Sequence, residues 1–187
     1  MDGANDREPN APAPPSRLAT AYHEAGHVVV ATYFGLPTTK VTIDPTDDAF
    51  GEWVHPSPFM LDLGRRRVGP ARRQAARQMI IASYAGLAAE RMIDPQAPDF
   101  RGEADNEGAM DLSREYRVFP RNRCFVGDDT HQKYLGRLRR EARRLVRKLR
   151  PAIEVLAQEL LRRETIPGDE AMALVEPIIE RLGVKRP

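Results

Sequence analysis

The stretch Ala21-Tyr22-His23-Glu24-Ala25-Gly26-His27 has the pattern H-E-x-x-H, and the rest of the fold is read outward from it. On an α-helix, residues four apart share a face, so His23 and His27 can turn their imidazoles toward one metal ion. Glu24 lies one residue round, within reach of a water at that ion yet outside the ligand set. Zn2+ suits such a site, because it accepts nitrogen and oxygen donors and in catalytic centres keeps a position open. The flanks are helical as well. Leu18, Tyr22, Val29, Val30 and Phe34 supply apolar positions and Gly35 with Pro37 supplies the stop, so a helix is expected from Arg17 to Phe34. A glycine inside a helix costs about 1 kcal/mol relative to alanine, so Gly26 points to close packing against another element. The competing reading is a plain helix whose histidines are satisfied by hydrogen bonds. The joint spacing of His23, Glu24 and His27 favours the metal.

Composition sets the outer limits. At 187 residues the chain suits one compact domain with a short tail. Apolar residues make up 41% and charged residues 30%, the balance of a soluble globular protein. A net charge of +2 selects no particular partner, and no nucleic acid is expected. Cys124 is the only cysteine, which excludes an internal disulfide and a multi-cysteine zinc module; it reads as a small, half-buried apolar residue. No apolar run approaches about 18 residues and the N-terminus lacks a signal-peptide core, so no membrane span is expected and the cytoplasm is the default compartment.

Taken in order, residues 1–16 are rich in proline and alanine without a hydrophobic period, and are expected to form a disordered tail before a domain over 17–187. Beyond the first helix, Lys40-Val41-Thr42-Ile43-Asp44 and Phe50-Gly51-Glu52-Trp53-Val54-His55 read as two short strands bounded by turns and prolines. They suggest a small sheet whose outer edge holds an extended peptide by main-chain pairing, with Trp53 either lining that cleft or packed in the core. Residues 56–69 read as a loop exposing Arg65, Arg66 and Arg67. A helix follows from Ala71 to Ile93, with Pro70 at its start and Gly86 marking a break or a close crossing. Another is expected from Ala104 to Tyr116, an irregular segment over 117–130, and a long helical region from His131 to Glu164 that Pro151 kinks or divides. A last short helix runs through Leu182. The span 131–150 holds nine Lys and Arg residues against one acid, Glu141. Without interleaved aromatics this reads as the solvated face of an amphipathic helix rather than a nucleic-acid surface.

Two histidines leave a catalytic zinc short of one protein ligand. His55 and His131 are candidates, as are the carboxylates Glu90, Asp99, Glu103 and Asp105. Asp105 is favoured only weakly, by its place in a helix first turn.

The strings TAYHEAGHVVVA (20–31), KVTIDP (40–45) with FGEW (50–53), SYAGLAAERMI (83–93), GEADNEGAMDLSR (102–114) and LAQELLRRETIPGDE (156–170) together resemble the peptidase domain of FtsH-type proteases, in the family's order. The resemblance implies that His23, His27 and Asp105 bind Zn2+ and that Glu24 activates water. The family usually carries an Asn-Asp pair after Gly-Ala-Ser, where this chain reads Gly102-Glu103-Ala104-Asp105-Asn106, one residue shorter; alignment on Ala109, Leu112 and Arg114 selects Asp105. Glu90 is the reserve ligand and is expected behind the ligands instead.

The expectation is therefore a mostly helical α+β domain, zincin-like, with a small sheet and a helical C-terminal half. FtsH-type proteins join their peptidase domain to a membrane anchor and an ATPase. This sequence shows no G-x-x-x-x-G-K-[ST] phosphate loop and resembles the peptidase domain standing alone. It is expected to be an ATP-independent metalloendopeptidase acting on unfolded or flexible segments, or on folded proteins delivered by a separate ATPase or adaptor. The resemblance also implies a homo-hexamer. The rival readings are a zinc-stabilised interaction module that does no catalysis, and a regulatory protease dedicated to one protein partner.

Overall fold

The computed structural model of the chain describes residues 14–46, 49–56, 69–116, 118 and 128–186. Most of the expected tail (1–13), most of the 56–69 loop with Arg65, Arg66 and Arg67, and nearly all of 117–127 with Cys124 lie outside the described residues.

Helix α1 (Arg17–Tyr33) begins at Ser16, whose side chain accepts a hydrogen bond from the Ala19 amide, and is buried along almost its whole length. A helix apolar nearly all round belongs in the middle of a protein, and α1 occupies that position. Strands β1 (Lys40–Thr42) and β2 (Glu52–Val54) follow as expected, each trimmed to three residues. Helix α2 (Pro70–Ser83) and the short α3 (Ala85–Glu90) replace the single helix expected over 71–93, with the break at Tyr84. A 3-10 turn over Asp99–Gly102 leads into α4 (Glu103–Glu115). Helices α5 (Asp128–Lys148) and α6 (Arg150–Arg163) divide at Leu149, with Pro151 in the first turn of α6. Strand β3 (Thr165–Pro167) and α7 (Gly168–Arg181) complete the chain.

The fold is mostly α with one small sheet, as expected. That sheet has a third strand where only the end of a helix and a turn were anticipated. Its order is β2-β1-β3, antiparallel throughout, with Val41 opposite both Trp53 and Ile166. Glu164, at a φ of 64°, turns the chain out of α6 into β3. Pairing with β1 then buries Ile166, and the Thr42 and Thr165 hydroxyls meet at 2.7 Å.

One core runs around α1. Its Val28, Val29 and Val30 are fully buried together with Met79, Ile80 and Ile81 of α2 and with Ile153, Leu156 and Leu160 of α6. The amphipathic stripe read over the long helical region, Leu138, Ala142, Leu145 and Leu149, faces this core. The crossing of α1 with α3 sets up the site. A Cβ on Gly26 would stand 2.6 Å from the Ala89 Cβ and 2.7 Å from the Ala85 carbonyl oxygen, so only glycine lets the two backbones approach this closely. Among the described residues no helix is long and apolar enough to cross a membrane.

Candidate metal centre

Helix α1 presents His23 and His27 on one face, ring centroids 4.8 Å apart and edge to face. Each ring is held from behind. His27 Nδ1–H donates to the Ala82 carbonyl at 2.9 Å, at the end of α2 where helical carbonyls lose their intrahelical partners. His23 Nδ1–H donates to Glu90 Oε2 at 3.1 Å, at the end of α3. With Nδ1 committed in both rings, each Nε2, which faces Asp105 in the metal-free chain, is the nitrogen left for a metal once it is deprotonated. Both Nε2 atoms face Asp105 of α4: Oδ2 lies 3.1 Å from that of His23 and 3.4 Å from that of His27. One donor atom from each of His23, His27 and Asp105 falls within 4.8 Å of the others.

Three observations bear on whether a metal fits. Two nitrogens and one carboxylate oxygen are a donor set that zinc accepts, and three protein donors leave a coordination position open. The ring orientations are set by partners on other elements rather than by the metal. Gly86 keeps the space in front of the histidines clear, since a Cβ there would stand 2.3 Å from His27 Nε2 and 2.5 Å from His23 Nε2. The break at Tyr84 and the glycine two residues on thus give both a change of helix direction and a close crossing, the two meanings Gly86 carried in the sequence.

The electrostatics fit a site that exchanges protons for a cation. Burial works against a charged His23, but the hydrogen bonds it donates to Asp105 and Glu90 override it and push its pKa up to about 10. Burial likewise opposes ionisation of Asp105, yet the two histidines hold its carboxyl well below the usual carboxylate range. Glu24, 6% exposed, is buried next to Gly51 and Thr20. Burial raises its carboxyl pKa, and the neighbouring His23 and His27 partly offset that rise. A carboxylate made more basic in this way is suited to accept a proton.

The other residues considered for the third ligand position lie apart. Glu90 is 1% exposed and stands behind His23, where Arg101 Nη1 donates to its Oε1 at 2.5 Å. Asp99 is exposed and pairs with Arg91, and Glu103 is exposed at the start of α4. His131 is buried against the Ser113 hydroxyl at 2.6 Å. His55 packs on Trp53, ring centroids 4.5 Å apart. Trp53 itself stacks on His27 at 5.3 Å with the rings nearly parallel, and its Nε1–H donates to Thr38 Oγ1, so it is both packed and adjacent to the centre. Sequence reading did not find Arg101. Its partner Glu90 is eleven residues away across a turn, and no local pattern marks the pair.

With this geometry in view, two curated relatives are informative. The chain is 25% identical over 191 residues to an ATP-dependent zinc metalloprotease FtsH of Synechococcus sp. (strain JA-2-3B'a(2-13)), covering 83% of this chain. It is 27% identical over 210 residues to a protein of the same name from Mycoplasma mobile, covering 91% of this chain. The likeness is to FtsH zinc metalloproteases. It covers most of this chain but only 29% of the length of either relative. No family model matches the chain.

Proposed function

We propose that this chain is a zinc metalloendopeptidase, with His23, His27 and Asp105 holding the ion and Glu24 as general base. The observation that carries the reading is a buried carboxylate, Glu24, on the same helix as two histidines whose Nε2 atoms converge with an Asp105 oxygen. A structural zinc needs no base beside its ligands, so Glu24 favours catalysis over a purely zinc-stabilised interaction module. Zinc bound by these residues would supply Lewis acidity, polarising the scissile carbonyl and lowering the pKa of water to about 7. Glu24 takes the proton of the attacking water and returns it to the departing amine. Glu90 and the Ala82 carbonyl keep the two imidazoles in the tautomer that leaves Nε2 free. Burial of Glu24 and His27 keeps bulk water from competing for the same groups.

The substrate enters as an extended segment. Strand β2 lies at one edge of the sheet, pairs with β1 on one side only among the described residues, and carries the Trp53 ring that stacks on His27. A peptide added along that open edge runs past the centre with its main chain hydrogen-bonded. Unfolded or flexible segments meet this requirement and folded proteins do not, so hydrolysis by this chain needs no ATP. The test is hydrolysis of casein by the zinc-loaded chain without nucleotide, with a chelator arm. Cleavage that a chelator stops and added zinc restores is expected. Casein left intact by a zinc-loaded chain counts against the proposal.

A further inference from the structure

A cavity of about 480 Å3 opens beside the metal centre, and Asp105 lines it. The basic helix α5 contributes Arg139 and Arg143 to the same cavity, so part of its charge faces the site instead of bulk water. Arg139 is fixed in place: its guanidinium donates to Asn106 Oδ1, next to Asp105 in the chain, and lies 5.0 Å from the centroid of the Tyr84 ring. Arg143, one helical turn further, is exposed and makes no hydrogen bond or ion pair with any described residue. The acids lining the cavity are largely committed. Asp99 pairs with Arg91 at 2.7 Å, and Asp105 faces the two histidines. Arg91, Arg139 and Arg143 all favour the charged form of Asp99, and Glu103 is the other lining acid, so with Asp105 turned to the histidines the cavity keeps one positive charge over.

We infer that this cavity is a specificity subsite for a substrate carboxylate, recognised by Arg139 and Arg143. The inference rests on the reading of the centre as a peptidase and names a feature of its substrate. Asp105 belongs to both the centre and the cavity wall, so the substrate residue that would reach the arginines is one displaced from the scissile bond toward the Asp105 side of the centre. A planar guanidinium matches a carboxylate with paired N–H donors, and Arg139 is already oriented by Asn106 and Tyr84, so little further ordering is needed. The carboxylate has two sources: an Asp or Glu side chain close to the scissile bond, or the C-terminus of the substrate. A lysine at that position is repelled.

The experiment uses the full chain, zinc-loaded and carrying Glu24→Gln so that peptides are bound but not cut. Fluorescent peptides that differ only by Glu, Gln or Lys are scanned one position at a time across the central bond, each as C-terminal acid and C-terminal amide. At one position the Glu peptide is expected to bind about tenfold or more tightly than the Lys peptide. A preference kept in the amide series assigns a side-chain carboxylate; one seen only in the acid series assigns the terminus. Arg143→Glu reverses the order, and Arg143→Lys, which keeps the charge on an exposed position, retains most of it. Equal binding of all three peptides at every position in both series overturns the subsite. So does absence of binding, or an Arg143→Glu loss of the same size for every peptide. Cleavage is scored separately with the unmutated chain: charge-selective binding without cleavage counts against the peptidase, and cleavage without charge selectivity counts against the subsite.

Discussion

Gly86 stands against the two histidines with nothing to spare: a Cβ added there would lie 2.3 Å from His27 Nε2. Alanine is ordinarily preferred to glycine inside a helix by about 1 kcal/mol, so Gly86→Ala would stabilise α3 if packing were neutral. Here the methyl group fills the space that both Nε2 atoms face. Gly86→Ala is therefore expected to keep its helical circular dichroism and lose bound zinc, measured by elemental analysis of the purified protein. Stoichiometric zinc in that variant would contradict the position given to the site.

Asp105 supplies the only oxygen in the donor set. Asp105→Ala leaves two protein donors, fewer than the three usual in catalytic zinc sites. Its zinc content should fall far below one ion per chain and hydrolysis should vanish with it. Full occupancy with full activity would move the third ligand elsewhere, with Glu90, which contacts His23 Nδ1 at 3.1 Å, the reserve carboxylate.

Arg101 acts on the centre through Glu90. It donates to Glu90 Oε1 at 2.5 Å and also reaches Asp94 at 3.4 Å, while its own buried Nε has no hydrogen-bond partner among the described residues. The pair holds His23 Nδ1–H, and loss of such outer partners typically costs about 10- to 100-fold in metal affinity. Arg101→Met is expected to weaken zinc binding by that order in a competition titration with a chelator, and Arg101→Lys to recover part of it. If Arg101 works through Glu90, Arg101→Met adds little once Glu90→Gln is present. Additive losses in the double variant would assign Arg101 to general stability instead.

Zinc loading should depend steeply on pH. Metal-free His23 keeps its proton up to about pH 10, so zinc must expel that proton to bind at neutral pH. Affinity is then expected to rise about tenfold per pH unit for each proton released and to fall as the solution is acidified. In the metal-free chain the same pairing has the opposite sense. Its contribution to stability is complete below the ordinary histidine value of 6.5 and lost as pH rises through about 10. Zinc titrations at pH 6, 7 and 8, with proton release read from buffers of different ionisation enthalpy, check the first, and denaturant unfolding of the metal-free chain between pH 6 and about 10 checks the second.

The parts of this fold that sequence reading reached are those whose signals are local. H-E-x-x-H sets its own geometry on a helix, Gly26 and Gly86 announce close approach by standing where alanine would serve better, and Pro151 sits at a helix start. Strand β3 was missed because Thr165-Ile166-Pro167 is too short to carry a period, and β1 alone makes it a strand. The break at Tyr84 was legible only as a hint at Gly86, since the residues on both sides favour helix. Arg101 and the Ala82 carbonyl left no trace. Their roles follow from how α2, α3 and the Asp99–Gly102 turn pack behind α1, and a backbone carbonyl has no residue type to read.

On the proposed reading, Glu24 does chemistry beside a metal it does not bind. The most direct measurement compares the zinc-loaded chain with Glu24→Gln, side by side, on an unfolded protein without ATP, with bound zinc quantified in both. Equal zinc in the two proteins, with cleavage by the unmutated chain alone, is the expected result. Cleavage that persists in Glu24→Gln at equal zinc would contradict the mechanism, and loss of zinc from that variant would make Glu24 a ligand instead of the base.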